Sequence, residues 1–168
     1  DDKKIIDKII SECEEVDKKA KLASSKSDKL LKEINDLINP LFQDSKPIKL
    51  STHIDLNIEN INPKTEPNKE FTYVDIDSII KGTGIINFDK KIIGRRAPSR
   101  ARRLASKDST IISTVRPYLK GFAYIDKEYK DTIFSTGFAI LKSKDEKILL
   151  NKLVYSYFMF SNELMRQM

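Results

Sequence analysis

Residues 81–121 hold Arg95, Arg96, Arg100, Arg102, Arg103 and Arg116, six of the seven arginines in the chain. With Lys81, Lys90, Lys91, Lys107 and Lys120 they make eleven cations against two acids, Asp89 and Asp108, a local charge of +9. The 168-residue chain carries +6 in all, so the remainder sums to −3 and the positive field is focused in one segment. A guanidinium is planar, permanently charged and forked, so it matches two phosphate oxygens or the O6 and N7 of guanine. A basic segment punctuated by Gly, Pro and Ser points to contact with nucleic acid, whose phosphates supply most of the affinity. Arg116 has a second role open to it, bracing its own loop through Asp75 or Asp77.

The residue types needed for catalysis do not assemble. The chain has one histidine, His53, and one cysteine, Cys13, so it has neither an intrachain disulfide nor a His/Cys metal cluster. Asp75 and Asp77 lack a nearby third acid and read as turn caps. Gly82 and Gly84 lack the third glycine of a dinucleotide loop, and no Lys-Ser/Thr follows as in a phosphate loop. These absences predict a chain that binds and positions, with no catalytic residue and no metal. No apolar run approaches the roughly 18 residues of a membrane span, and the opening DDKKIIDKII is unlike a signal peptide. The expected location is the cytoplasm. The chain begins at Asp1 without a methionine, which reads as a piece of a longer polypeptide.

The elements that position the basic segment follow from periodicity. Residues 1–39 contain no Gly or Pro and predict one long helix. Ile6, Ile9, Cys13, Val16, Ala20, Ala23, Ser27, Leu30, Ile34, Leu37 and Leu41 alternate steps of three and four, a heptad seam that predicts a coiled-coil partner. Its expected interface is Ile6, Ile9, Val16, Ala20, Ala23, Leu30, Ile34 and Leu37. Asn39-Pro40 is expected to end the helix, because proline disfavours helical geometry in the residue before it. Strand-like pieces follow at 48–50, 54–58, 71–74, 109–115, 121–125 and 133–141, with a turn or short helix at 75–80. Ser143 and Glu146 suggest a capping box opening a last helix over 145–166. The expected architecture is α+β: residues 47–168 form a compact, mostly antiparallel or mixed β-sheet domain with short helices, preceded by the coiled-coil helix at 1–39.

Three phrases carry a family resemblance: Ala97-Pro98-Ser99-Arg100-Ala101-Arg102, then Ser113-Thr114-Val115-Arg116-Pro117, then Ser135-Thr136-Gly137-Phe138. In that order, with Tyr73-Val74-Asp75-Ile76 upstream, they closely resemble the target recognition domain of type I restriction-modification specificity subunits. The long helix is similar to the spacer helices of that family. In the family two recognition domains are held apart by an antiparallel helical pair, and each reads half of a bipartite DNA site. Separate subunits methylate adenine with S-adenosylmethionine and cleave DNA.

The resemblance therefore implies double-stranded DNA, methyltransferase and restriction subunits as partners, with a second copy or second recognition domain along the helix. It implies no cofactor in this chain. Lys91, Arg95, Arg96, Ser99, Arg100, Arg102, Arg103, Arg116 and Lys120 become the candidate DNA contacts. Arg100 and Arg102 lie in the family-like phrase, and Gly137 and Phe138 read as turn and core. Base-reading residues in the 59–69 loop are a further expectation. Three parent architectures stand open: half of a two-domain subunit, a half-length subunit that dimerises, or the recognition part of a fused methyltransferase–nuclease. A rival reading is an assembly module that docks a methyltransferase through the seam.

Overall fold

The computed structural model describes residues 2–43 and 49–161. The chain divides into two units, Asp1–Lys46 and Pro47–Met168. The first is the helix α1, Asp2–Gln43. It continues through Asn39-Pro40, where the sequence predicted its end. Proline removes one backbone donor and strains one turn, but Leu41-Phe42-Gln43 offers no glycine to complete the stop. On the seam Val16 and Leu30 are 63% and 58% exposed, and Cys13 and Ala23 are exposed as well. The side chains of Ile6, Ile9, Ala20, Ile34 and Leu37 lie outside the described residues.

The second unit is built on two four-stranded sheets. Strands β1 (Ile54–Leu56), β7 (Thr110–Ser113), β8 (Phe122–Tyr124) and β10 (Phe138–Ser143) form one, in the order β1-β10-β7-β8, wholly antiparallel. Strands β2 (Glu70–Val74), β5 (Lys91–Ile93), β6 (Ala101–Arg103) and β9 (Thr132–Ser135) form the other, in the order β5-β2-β9-β6. There β2 and β9 run parallel and the outer pairs antiparallel. A hairpin of β3 (Ile79–Ile80) and β4 (Ile85–Ile86) stands apart. Two short helices complete the unit, α2 (Leu50–His53) and α3 (Asn151–Phe160).

The sheets pack face to face. Val74 and Phe134 from one meet Ile111, Ala123, Phe138 and Ile140 from the other, all essentially removed from water. Helix α3 covers the far face of the β7 sheet, where Val154 and Met159 join Ile54, Ile112, Phe122 and Leu141. With both faces covered, every residue of β7 is buried, which is why Thr110-Ile111-Ile112-Ser113 shows no clean polar alternation. The far face of the β9 sheet buries Phe71, Tyr73 and Ile133 beneath Ala97 and Ala101 of the arginine segment.

Three local expectations change. Leu50, expected in a strand, opens α2; Ile48 lies outside the described residues. Residues 133–141 are two strands, not one, split by the Thr136-Gly137 turn. The 75–80 stretch holds the expected turn, a 3-10 helix at Ile76–Ser78, and then continues as β3. The last helix begins at Asn151 rather than near 145, because Ser143 still belongs to β10.

Asn151, almost fully buried, replaces the expected capping box. Its side-chain carbonyl accepts from the Ser143 N–H at 2.6 Å and its amide donates to Glu146 at 2.6 Å. Asn151→Ala would strand a buried N–H, at about 1–3 kcal/mol. A urea midpoint lowered accordingly, with an unchanged slope, is the expected result. The expected continuation of this helix to 166 falls partly on residues 162–166, outside the described residues.

Candidate nucleic-acid interface

After β5 the chain crosses the outer face of the β9 sheet and re-enters it on the opposite edge as β6. The crossing, residues 94–100, is a strap. Its start is pinned to the 63–69 turn: Gly94 N–H donates to the Lys69 carbonyl at 2.9 Å and Arg95 N–H to the Pro67 carbonyl at 3.0 Å. A Cβ on Gly94 would stand 2.2 Å from the Glu66 carbonyl oxygen and 2.4 Å from that of Pro63. Only glycine lets the two backbones approach so closely. The Arg95 guanidinium donates to the Asn68 side chain at 2.9 Å, while Ala97 and Ala101 turn inward onto the sheet.

This layout places each candidate. Arg95, Arg96, Ser99 and Arg100 are exposed on the strap, not in a free loop. Arg102 and Arg103 are half-buried on β6, the half of the basic segment that is strand. Arg102 Nε donates to the Ser99 carbonyl at 3.2 Å. Arg103 reaches the Asn60 side chain at 3.4 Å, and its Nε is buried without a partner. Lys91 donates to the Thr72 hydroxyl at 2.7 Å on the opposite edge. Arg116 and Lys120 bracket the 3-10 turn Pro117–Leu119, both left-handed with φ of 50° and 52°. Among the described residues no acid forms an ion pair with any of these arginines. The side chains of Arg96, Arg100 and Arg116 make no hydrogen bond there. Their charge is left for solvent or a ligand.

The three sequence phrases meet at one end of the two sheets. Thr136 N–H donates to the Arg100 carbonyl at 2.8 Å, and Thr114 donates to the Gly137 carbonyl through its N–H and its hydroxyl, both at 2.9 Å. The β9–β10 turn is thus the clasp between the strap and the 114–121 turn. Ser99, Arg100, Arg116 and Lys120 share this end. Arg95 and Arg96 lie toward the other end of the strap, beside the 66–69 turn. Phe138 is core and Gly137 is the turn, as expected. The 59–69 loop serves as the buttress of the strap and of the β6 edge, where Ile61 N–H donates to the Arg102 carbonyl and Leu104 N–H to that of Glu59.

Asp75 caps its own turn as expected, the Ser78 hydroxyl donating to its carboxylate at 2.9 Å, and it pairs with Lys90; of the two roles left open for Arg116, bracing through Asp75 is not the one seen. The pairing of β2 with β5 carries Lys90 back beside Tyr73, whose N–H donates to the Lys90 carbonyl at 2.8 Å. Partial burial works against ionising Asp75, but hydrogen bonds from Lys90 and Ser78 outweigh it and hold the carboxyl below its usual range. Asp75 in turn raises the Lys90 ammonium. A lowered carboxyl stabilises the fold above the ordinary carboxylate range, and that contribution is lost as pH falls through the lowered value. A raised lysine contributes up to the ordinary lysine range and loses its share as pH rises through the raised value. The pair is therefore intact throughout neutral pH. Asp75→Asn keeps a capping side chain but removes the charge pair with Lys90, so stability at pH 7 should fall by up to about 1 kcal/mol, and the acid limb of a thermal-midpoint-against-pH curve should flatten.

Sequence reasoning missed the buttress, formed by Asn60, Asn68 and the carbonyls of Pro63, Glu66 and Pro67. Its one legible signal was the density of Asn and Pro between 57 and 68. Among the described residues, no group of three or more His, Cys, Asp or Glu could hold a metal, and no helix is long and apolar enough to cross a membrane.

No protein-family model matches the chain, and no curated protein matches it. Solved structures do. The HsdS subunit from Thermoanaerobacter tengcongensis is 30% identical with a TM-score of 0.55, over 67% of this chain and 30% of that one. A chain from a structure of type I R-M system complex assembly and conformational transition is 29% identical with a TM-score of 0.60, over 72% of this chain and 33% of that one. This chain spans about a third of the length of the solved chains it matches. These neighbours are HsdS specificity subunits of type I restriction-modification systems, and a match over about a third of their length is consistent with a single target recognition domain.

Proposed function

We propose that this chain is a sequence-specific DNA-recognition domain of a type I restriction-modification system, reading half of a split site for a methyltransferase and restriction complex. The observation that carries the reading is the clasp: three family-like phrases, far apart in sequence, converge through hydrogen bonds and leave Arg100 and Arg116 exposed, as Arg96 is farther along the strap, with no partner for their side chains among the described residues. Rigid backbone beneath unpaired guanidiniums suits duplex recognition, where phosphate contacts set register and base-edge contacts select sequence. The chain itself is read as non-catalytic, with methylation, its S-adenosylmethionine and cleavage belonging to partner subunits.

Exposed Val16 and Leu30 on α1 favour a second component of the same function. The 1–39 seam pairs with another spacer helix, from a second copy or a second recognition domain, and so sets the distance between half-sites. That helix would also be the docking element for the methyltransferase. A fused methyltransferase–nuclease parent would keep the same role for this domain.

The test is fluorescence anisotropy of a mixed-sequence 30-base-pair duplex titrated with the whole chain at several salt concentrations. For contacts to Z phosphates the affinity should fall with a log–log slope of about −0.9Z. Affinity that stays flat with salt, or no binding at low salt, contradicts the reading.

A further inference from the structure

The 114–121 turn has features that its two cations do not exhaust. Arg116 and Lys120 both adopt left-handed backbone, which a residue with a Cβ rarely takes, and they bracket Tyr118, 61% exposed. Outliers of this kind cluster where a side chain must be presented rather than packed. Val115 beside them is 47% exposed. Lys120 is half-buried, no acid among the described residues pairs with it, and burial pushes its ammonium below the usual range. A cation so placed gains from an incoming anion.

The turn is held from two sides. Gly82 N–H, at the tip of the β3–β4 hairpin, donates to the Lys120 carbonyl at 3.0 Å, and Ser113 N–H donates to the Gly121 carbonyl at 3.1 Å. No acid occurs in residues 79–86 or 114–121, which carry Lys81, Arg116 and Lys120. An exposed aromatic between cations, on segments that carry no acid of their own, complements a polyanion that also offers apolar surface.

We propose that this turn is a second DNA-contacting element, in which Arg116 and Lys120 hold phosphates while the Tyr118 ring packs against a sugar or base face between them. The proposal rests on the DNA-recognition reading and extends it: the domain would grip the duplex at two places, the strap and this turn, joined by the Thr136-Gly137 clasp. Nucleic acid fits better than a protein surface because the turn shares its end of the domain with Arg100. The ring supplies sequence-tolerant contact area, since every base and sugar offers an apolar face.

The experiment measures duplex affinity, salt slope and thermal midpoint for the whole chain and five variants. Tyr118→Ala should weaken binding about tenfold with the salt slope unchanged, and Tyr118→Phe should retain wild-type affinity. Arg116→Gly and Lys120→Gly should each reduce the salt slope by about one. Their thermal midpoints should hold or rise, because glycine accepts the left-handed backbone. Arg96→Ala/Arg100→Ala serves as the reference for the strap. If Tyr118→Ala and both glycine variants bind like wild type while the strap variant is impaired, this proposal is overturned and the recognition reading stands. Equal losses for Tyr118→Ala and Tyr118→Phe would overturn the role given to the ring. If the wild type does not bind duplex at low salt, both fall, and Tyr118 becomes a candidate protein contact.

Discussion

Arg96→Ala/Arg100→Ala is expected to lower affinity for duplex DNA by about a hundredfold and to reduce the salt slope by about two, with little change in thermal stability. The magnitude follows from two contacts at roughly 1–3 kcal/mol each if they reach base edges, and from one released counterion per phosphate if they do not. Stability is spared because both side chains are exposed and neither makes a hydrogen bond among the described residues. The two outcomes separate the roles. A loss confined to particular base pairs assigns base reading, whereas a uniform loss across sequences assigns phosphate anchoring. Anisotropy titrations at several salt concentrations, paired with circular dichroism melts, measure both. Arg102→Ala should behave differently, because its Nε is already engaged with the Ser99 carbonyl and its loss loosens the strap itself.

Gly94→Ala should have the largest structural effect of any single substitution on the strap. The added methyl meets two backbone oxygens at 2.2 and 2.4 Å, and neither can swing aside as a side chain would. Both carbonyls also accept bonds within their own turn: Pro63 from the Glu66 N–H and Glu66 from the Lys69 N–H, each at 3.1 Å. Relief must come from lifting the strap off the 63–69 turn, at a cost on the order of 3 kcal/mol. Because Arg95, Arg96 and Arg100 ride on that strap, DNA affinity should fall together with the urea midpoint. A variant that lost stability but kept full affinity would show that the strap does not position the DNA contacts.

What was legible in the sequence was local. Runs of Ile, Thr, Val and Phe located most of the strands, because β-branched and aromatic residues suit a pleated surface. The cluster of arginines and the family-like phrases marked the strap and the clasp that the structure brings together. What failed required knowledge of partners distant in the chain. Arg102 and Arg103 were not among the strand-like pieces because nothing nearby shows that β6 pairs with β9 and is covered by residues 59–61. The pairing of Asp75 with Lys90 was not legible, because the return of Lys90 beside β2 is set by sheet register, not by sequence spacing. Residues 133–141 read as one strand because a turn as small as Thr136-Gly137, steadied by the Ser135 hydroxyl accepting from the Gly137 N–H at 3.1 Å, interrupts the apolar run by only two residues. Ser143 and Glu146 matched a helix-start pattern, but Asn151, eight residues on, satisfies the backbone they were expected to cap.

The most direct test of sequence-specific recognition is selection from a pool of random-sequence duplexes by the whole chain, run alongside Arg96→Ala/Arg100→Ala. Sequence-specific recognition requires one short enriched motif for the wild type, retained at rising salt better than bulk DNA, and a weakened or blurred motif for the variant. Enrichment of no sequence by the wild type, or the same motif with equal strength from both proteins, would contradict it.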